Sequence, residues 1–455
     1  MKCLSSVVCT LLLTVPAMAQ VADPGTPLPF ARPQGTAAPP AVITLQDALD
    51  RARRLDAIVQ SAAADVDIAR EGVAQAKASR LPALSLTGEY VGTQGNGVTP
   101  NGRFVPADGV HLYRSLANVH QDLSANTILK TDYERAGAAQ AIALARVEIA
   151  RRGLAITVTE RYYALVVSQR RFATSQQGIQ QAQRFLEVTQ QLEAAGEAAH
   201  SDVVKAQIQL QQQRQQLQEA TLAMENTRLN LAVLMSPTLD ENFTVVDELD
   251  SARSLPAFAE LRSMAERENP SLRAASEAVR QASFDVRKAQ NDRLPSLSLD
   301  ANYGIEANAF KLHSTVASDP ALGPLPNLGY SLVVNLSVPI FDWGGAQSRV
   351  RQAQVKQQQT NLELSQAQRE ILRKLYESYN EAVAARSAVE LARTGADLAS
   401  ESLRLITLRY QAGESGVLEV VDAQNTLLDA RKAFDNAQVR YRMSLAELES
   451  VAGSF

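Results

Sequence analysis

Apolar residues recur along four stretches of the chain with spacings that alternate between three and four positions. One such seam runs from Val59 to Ala76 and another from Val203 to Leu231, and the second half repeats them from Leu272 to Ala289 and from Val420 to Leu448. A period of about 3.5 residues keeps one face of a helix against a neighbouring helix in a left-handed supercoil. The pattern therefore predicts coiled-coil helices, whereas ordinary amphipathic surface helices would drift towards a period of about 3.6.

The apolar period changes to two after each of two Arg-Leu-Pro motifs, at Arg80–Pro82 and at Arg293–Pro295. Proline ends the incoming helix because it disfavours helical geometry at the residue before it. Alternation over about ten residues is typical of transmembrane β-strands, apolar towards lipid and polar towards a water-filled lumen. The alternative is the edge of a soluble β-sandwich. The strands are predicted at about 83–93, 113–123, 296–306 and 330–341, and the loops at about 94–112 and 307–328 are expected at the outer surface.

Both patterns belong to one duplicated unit. The run RLPALSL at Arg80 returns 213 residues later as RLPSLSL at Arg293, and the run AGE at Ala195 returns at Ala412. A repeat of this length indicates a pseudo-symmetric pair rather than a solenoid. We place the repeats at 42–236 and 258–453, with an equatorial segment at 237–257 between them. The helices are predicted at about 44–79, 127–193 and 200–235 in the first repeat, and at about 258–292, 344–411 and 417–451 in the second.

The N-terminus has the pattern of a secretory signal. Lys2 precedes an apolar stretch, and Ala17–Ala19 forms a small-residue cleavage site, so residues 1–19 are predicted to be a signal peptide. The proline-rich residues 20–41 are predicted to be an extended linker. Both cysteines, Cys3 and Cys9, lie inside the signal. After the signal, no thiol is left for a disulfide or a metal site.

The absence of a long apolar stretch limits how the chain could cross a membrane. After the signal, no stretch offers the roughly 18 consecutive apolar residues that a helical span requires. An exported chain could then span a membrane only as a closed barrel. Four strands are too few to close one, so two copies would supply eight strands and three copies would supply twelve. An open duct needs a wide barrel, which favours a homotrimer.

The segment Phe341–Gly345 closes the last predicted strand. Its glycines permit the turn into the following long helix. Trp343 is the single tryptophan of the chain, and it is expected either at a membrane–water interface or as an ordinary packed residue.

Charge and composition argue against an enzyme or a nucleic-acid-binding protein. The formal net charge is −4 at pH 7, which offers no basic surface to a nucleic acid. No Gly-rich phosphate loop is present, so no nucleotide is expected to bind. The histidines are dispersed, without ligand spacing or an acidic partner, and two of them are expected in the outer loops. We therefore expect no cofactor, no metal site and no catalytic residue. The four histidines are His111, His120, His200 and His313.

The motifs in their order resemble the TolC family of outer-membrane efflux proteins. The resemblance covers roughly residues 42–453 and rests on the two Arg-Leu-Pro motifs, on VPIFDWGG at Val338 and on RYQAGE at Arg409. It implies a mixed α/β membrane protein in which each repeat has two transmembrane strands and long coiled-coil hairpins. Three chains would share a twelve-stranded barrel in the outer membrane of a Gram-negative bacterium and a twelve-helix periplasmic tunnel.

The same resemblance implies partners and a function. The trimer would dock on a periplasmic adaptor protein and an inner-membrane pump of the RND or ABC type, and outer-membrane lipid would surround its barrel. The chain would be a passive exit duct for small molecules. One alternative is the duct of a type I protein secretion system. Another, from a different class, is a structural periplasmic coiled-coil protein without a pore.

Gate residues are carried over from the resemblance by position. The gating tyrosine falls on Tyr410, and its partner carboxylate falls on Asp202, preceded by Ser201. Asp202 and Ser201 could equally cap a helix. Ser415 stands where some members of the family have a gating arginine, so that link is expected to be absent or supplied by another residue.

An acidic pair is the candidate pore constriction. Glu419 and Asp422 are three positions apart and so share one face of a helix. In a trimer they would form a ring of six carboxylates, which attracts cations in a narrow pore. The simpler alternative is that acids in a first helical turn complement the helix dipole.

The two hairpin tips carry the same short motif. Gly196 and Gly413 are expected to end helices with a positive φ. By resemblance alone, the tip residues Gly196, Glu197, Gly413 and Glu414 would contact the adaptor.

Overall fold

The computed structural model describes residues 40–93, 110–237, 242–250, 254–307, 309–313 and 326–453. The predicted signal peptide, nearly all of the linker and most of the two predicted outer loops lie outside these residues. Within the described residues, no helix combines the length and the apolar character that a membrane span needs.

Each repeat contains a short strand, two shorter helices, two long strands and a hairpin of long helices, and the first repeat has one additional four-residue helix. The first repeat comprises β1 (Ala41–Ile43), α1 (Leu45–Leu55), α2 (Ala57–Ala78), β2 (Ala83–Thr93), β3 (Val110–Asp122), α3 (Ala125–Ile128), α4 (Thr131–Ala194) and α5 (His200–Met235). The second comprises β4 (Phe243–Val245), α6 (Phe258–Glu268), α7 (Pro270–Asn291), β5 (Ser296–Ala307), β6 (Leu328–Ser337), α8 (Gly345–Gln411) and α9 (Val417–Ala452).

The first predicted helix of each repeat is in fact two helices. The chain is extended at Asp56, where the Asp56 side chain accepts a 2.8 Å hydrogen bond from the Val59 amide. Asn269 makes the equivalent break, and its side chain accepts from the Ser271 and Leu272 amides. Each of these residues caps the following helix, which is more favourable than continuing the preceding one. Pro270 suits the first position of α7, where no amide donor is needed.

The long helices dominate the molecule. α4 has 64 residues and α8 has 67, so each extends about 100 Å at a rise of about 1.5 Å per residue. α4 packs against α5, and α8 packs against α9. The seam residues Val420, Ala423 and Leu427 are buried, as the heptad pattern predicts.

The four long strands form one antiparallel sheet in the order β2-β3-β5-β6. The row Leu84–Val119–Ala301–Leu332 crosses all four strands, and residues paired in this way share one face. The next row, Ser85–Asn118–Asn302–Ser331, is polar and lies on the opposite face. Within the described residues, β2 and β6 each pair on one side only, so both edges of the sheet are open.

Two strand boundaries differ from the prediction. β3 begins at Val110, so His111 lies in a strand rather than in an outer loop. β6 ends at Ser337 rather than near residue 341. Pro339 lies just after this end, and proline cannot donate a hydrogen bond to a neighbouring strand.

A small second sheet lies at the equator of the molecule. β1 pairs in parallel with β4, so Ala41 belongs to a strand and not to the linker. The buried Tyr162 of α4 donates its hydroxyl hydrogen bond to the Val246 carbonyl at 2.8 Å. The largest apolar cluster surrounds this point and includes Ile43, Leu165 and Leu231.

Candidate gate and pore-lining site

The tip of the first hairpin is a glycine-terminated helix end. Gly196 has a φ of +79°, a conformation that glycine adopts without steric cost. The amides of Glu197 and Gly196 donate to the carbonyls of Leu192 and Glu193 at 2.8 and 2.9 Å. These two bonds form a Schellman motif, which satisfies the last carbonyls of α4.

The second hairpin has the same construction. Gly413 has a φ of +75°, and the amides of Glu414 and Gly413 donate to Arg409 and Tyr410 at 2.9 and 3.0 Å. Both tip glycines and the glutamates that follow them are exposed. The tips therefore present two rigid and nearly identical turns at the end of the molecule far from the sheet.

Tyr410 lies inside the chain, where it joins the two hairpins. Its side chain is 6% exposed, and its ring centroid lies 5.2 Å from that of Phe185 in α4. The Tyr410 hydroxyl donates to Thr189 Oγ1 at 3.1 Å, and Thr189 in turn donates to the Phe185 carbonyl at 2.8 Å. The residue thus ties α8 to α4 by an apolar contact and one hydrogen bond.

Asp202, the expected partner of Tyr410, instead pairs with a lysine of its own helix. It is the third residue of α5, and Ala199 rather than Asp202 or Ser201 is the N-cap. Its carboxylate accepts from Lys205 Nζ at 3.1 Å. Among the described residues, the structure gives no hydrogen bond between Asp202 and Tyr410.

Glu419 and Asp422 lie on the exposed side of α9, one turn apart. Their buried neighbours, Val420 and Ala423, face the apolar interior. Glu419 is in the first turn of α9, where a negative charge is favourable. Both carboxylates are therefore free to face a space outside the chain.

Ser415 offers no replacement for an arginine link. Its Oγ is buried without a hydrogen-bond partner among the described residues. The nearby Arg409 donates instead to the Glu414 carbonyl at 3.2 Å, within the same tip.

An open apolar cavity of about 300 Å³ lies beside Tyr410, between α4, α8 and the start of α9. Phe185, Val188, Leu403 and Tyr410 supply its apolar lining, and Arg184 also lines it. Any movement of α8 away from α4 would open this cavity and break the Tyr410 hydrogen bond.

The polar face of the sheet is a second site, where ion pairs connect neighbouring strands. Arg114 of β3 donates to Glu89 of β2 at 2.5 Å and to Glu306 of β5 at 2.7 Å. His120 Nδ1 lies 2.6 Å from an Asp300 carboxylate oxygen. These pairs connect three strands on the face opposite the apolar row.

The expectation that the histidines have no acidic partner was wrong. His120 pairs with Asp300, and His200 Nδ1 lies 2.8 Å from Glu193 Oε1 at the first tip. The partners are 180 and seven residues away in the chain, and no sequence motif marks them. Among the described residues, no group of three or more possible ligand side chains could hold a metal.

Thr189 is the residue of the site that sequence reasoning missed. It is fully buried in α4, far in sequence from Tyr410, and a lone threonine in a long helix carries no signal of its role. Its position could be found only from the packing of α4 against α8.

Long paired helices that continue into a sheet with one apolar and one polar face define a class, the outer-membrane channels. The solved outer-membrane channel OprN has this fold, with a TM-score of 0.74 at 19% identity over 90% of each chain. The chain is 25% identical to the outer membrane protein TolC of Escherichia coli K12 over 90% of its own length and 82% of that protein. It is 23% identical to the alkaline protease secretion protein AprF of Pseudomonas aeruginosa over 66% of its own length and 61% of that protein.

The sequence profile described as outer membrane efflux protein matches residues 45–236 and again residues 261–454. The chain therefore belongs to the outer membrane efflux protein family, as the motifs had predicted. It is located in the outer membrane, and the family consists of efflux and secretion channels.

Proposed function

We propose that three copies of this chain form a passive exit duct that conducts small molecules from an inner-membrane pump to the outside. The observation that carries the proposal is the sheet of four strands with two open edges, one apolar face and one polar face. Backbone groups at an open edge are not satisfied in lipid. Joining β6 of one copy to β2 of the next removes both edges and gives twelve strands in a trimer.

The apolar face suits lipid, and the polar face suits a water-filled lumen. Leu84, Leu86, Tyr330 and Leu336 are all more than half exposed within the single chain. On the other face, Arg114 and its two glutamates would line the lumen. This division follows the rule for barrels that conduct water and solutes.

The duct would narrow at the hairpin tips. Tyr410 and Thr189 would hold the second hairpin against the first, and Asp202 would act at the same level through a contact between copies. Glu419 and Asp422 would form the constriction, with six carboxylates in a trimer. Cations would then pass more easily than anions.

Partner proteins would select the exported molecules and supply the energy for export. We infer an adaptor protein at the two exposed tips, Gly196–Glu197 and Gly413–Glu414, and a pump of the RND or ABC type behind it. The family description favours efflux, whereas the name of AprF refers to protease secretion. Type I protein secretion is therefore the second candidate function.

Cross-linking across the open edges tests the proposal. The chain has no cysteine after residue 19, so a pair introduced by Thr87→Cys in β2 and Asn335→Cys in β6 reports only the intended contact. We expect a bismaleimide to convert this protein in native membranes into a covalent trimer. The single variants should give dimers at most, and a double variant that remains monomeric would contradict the shared barrel.

A further inference from the structure

Two rows of residues with heptad spacing occupy equivalent positions in α4 and α8 but differ in burial. The α4 heptad row is buried and consists of Ala138, Ala145, Arg152, Thr159 and Val166. The α8 heptad row stands 217 positions later, is exposed and consists of Val355, Leu362, Arg369, Tyr376 and Val383. The same offset relates the tip glycines Gly196 and Gly413. The second repeat therefore exposes a helix face that the first repeat buries.

The second repeat packs against α4 at this row. α4 contacts α7 and α9, and near the start of the row Lys288 Nζ of α7 lies 2.6 Å from the Asp132 carboxylate. Arg135 bonds Asp285 of α7 one turn before Ala138. Within the described residues, α8 packs against α7 and α9 of its own repeat and makes no comparable packing with α2 or α5. The α8 heptad row thus lacks the cover that the equivalent helices α2 and α5 would give.

Arg152 shows what the arginine of such a row can do. Its side chain is buried and donates hydrogen bonds to the carbonyls of Ser450 and Gly453 at 3.1 and 3.2 Å. These carbonyls lie at the end of α9, where the helix itself has no amides left to bond them. α9 has no basic residue in its last turn, and a cation is favourable at a helix C-terminus. Arg152 therefore caps α9 across the boundary between the repeats.

The equivalent end of α5 also needs a cap. Val233 and Ser236 stand 217 positions before Ser450 and Gly453. Pro237 is four positions after Val233 and has no amide hydrogen, so the helix cannot supply its usual donor to the Val233 carbonyl. α5 has no basic residue in its last turn, and the Val233 side chain is 60% exposed. The end of α5 is thus open to a cation from outside the helix.

We propose that Arg369 of each copy caps α5 of the next copy by donating to the Val233 and Ser236 carbonyls. The α8 heptad row then packs against α2 and α5 of that copy. The partner is a second copy of this chain, because the equivalent row of α4 is covered by the other repeat of the same chain. In a closed trimer, six repeats follow one another around the axis, so each second repeat meets a first repeat in the same way. The inference rests on the proposed trimeric duct and assigns the residues that join its helices.

The contact inside the chain also fixes the register between copies. Arg135 and Asp285 correspond to Gln352 in α8 and Gly72 in α2, by the offsets of 217 for the long helices and 213 for the shorter ones. Neither Gln352 nor Gly72 is charged, so this ion pair has no counterpart between copies. Val355 and Ile68 lie one turn further along the same two faces and are 62% and 70% exposed. Apolar contact therefore replaces the ion pair at this position.

Cysteine cross-linking tests the register. The chain has no cysteine after residue 19, so Gly72→Cys with Gln352→Cys introduces the only thiols after that residue. We expect a short bismaleimide to convert this protein in native membranes into a covalent trimer. The control combines Gln352→Cys with Ala74→Cys, which places the second thiol on the other, exposed side of α2. The control should remain monomeric, and an equal yield of trimer from it would contradict the packing.

Failure of this inference can be told apart from failure of the duct. If Thr87→Cys with Asn335→Cys gives covalent trimers but Gly72→Cys with Gln352→Cys does not, the barrel closes and the proposed helix contact is wrong. If both pairs remain monomeric, the trimeric duct fails as well.

Trimer dissociation tests the role of Arg369. In detergent at a fixed elevated temperature, the Arg369→Gln trimer should dissociate at least about tenfold faster than the unmodified trimer, because loss of a charged hydrogen bond across an interface mainly raises the dissociation rate. Arg369→Lys keeps the charge and should give an intermediate rate. The matched control is Arg404→Gln, since Arg404 pairs with Glu401 of its own helix. Equal dissociation rates for Arg369→Gln and Arg404→Gln would contradict the cap.

Discussion

Gly413 and Gly395 both belong to the second hairpin, but the backbone uses them differently. Gly413 has a φ of +75°, whereas Gly395 lies within helix α8 with open space around it. Gly413→Ala should lower the free energy of unfolding by about 1 kcal/mol, because alanine is strained at positive φ. Gly395→Ala should raise it by roughly 0.5–1 kcal/mol, because alanine is the better helix former. Thermal unfolding followed by circular dichroism measures both, and changes of the same sign would contradict this reading.

Tyr410 and Thr189 make one hydrogen bond, so removing either partner should have the same consequence. Tyr410→Phe and Thr189→Val should each weaken the contact between α8 and α4 by about 1 kcal/mol. The double variant should then cost little more than either single variant. Additive losses in thermal unfolding would show that the 3.1 Å bond is not the shared cause.

Single-channel conductance reports directly whether the proposed gate is open. Tyr410→Phe combined with Asp202→Ala should raise single-channel conductance in planar bilayers, because both proposed holding contacts are then missing. Lys205→Gln removes the partner of Asp202 within its own helix and serves as the control. Conductance equal to that of the unmodified protein would remove Tyr410 and Asp202 from the gate.

At the scale of elements, Arg170 connects α4 to α9 and to the equatorial segment. Its guanidinium bonds Asp247 and lies 2.8 Å from Asp250, 3.2 Å from Asp435 and 2.8 Å from Gln438. Arg170→Gln leaves the mostly buried Asp435 without its cationic partner and should lower the stability by about 2 kcal/mol. Arg171→Gln, which removes a bond to Asn436 and a weaker attraction to Asp435, is the matched control. Equal losses of melting temperature in the two variants would contradict a central role for Arg170.

The carboxyl group of Asp435 should make the stability of the protein depend on pH. Burial, opposed by Arg170, raises the pKa of the Asp435 carboxyl above its ordinary value. The ionised form is therefore less favourable in the folded than in the unfolded chain, and this cost disappears as the pH falls through the raised pKa. Asp435→Asn should raise the melting temperature at neutral pH and lose that advantage at acidic pH. A destabilised variant at neutral pH would show that the bond to Arg170 outweighs burial.

The sequence predicted those elements whose pattern repeats over many residues. The seam residues Val203 and Leu210 are buried, and the alternating residues of β5 lie opposite those of β6. The breaks at Asp56 and Asn269 were missed, because each is a single cap inside a continuing helical pattern. β1 and β4 were missed because three residues are too few to show alternation.

The candidate site was predictable only in part. The tip glycines Gly196 and Gly413 follow from the helix pattern, since a helix commonly ends at a glycine. The contact of Tyr410 with Thr189 joins residues 221 positions apart, and helix packing rather than local sequence brings them together. Trp343 likewise has a positive φ, 56°, beside the hydrogen bonds that Asp342 accepts from the Gly344 and Ala346 amides, and no local sequence pattern predicts it.

At the scale of the whole molecule, the carboxylates of α9 should set the preference for cations. Glu419→Gln with Asp422→Asn removes six negative charges from a trimer and should shift the reversal potential in a salt gradient towards zero. Asp429→Asn removes an exposed acid that already pairs with Lys432 and is the control. An unchanged reversal potential in the double variant would place the constriction elsewhere.

The central claim is that the chain forms an open path through the outer membrane. The most direct test is the conductance of the purified trimer in a planar lipid bilayer, measured on both the unmodified protein and the Tyr410→Phe with Asp202→Ala variant. The account predicts a small cation-selective conductance that increases in the variant. Insertion of the trimer without any conductance in either protein would contradict it.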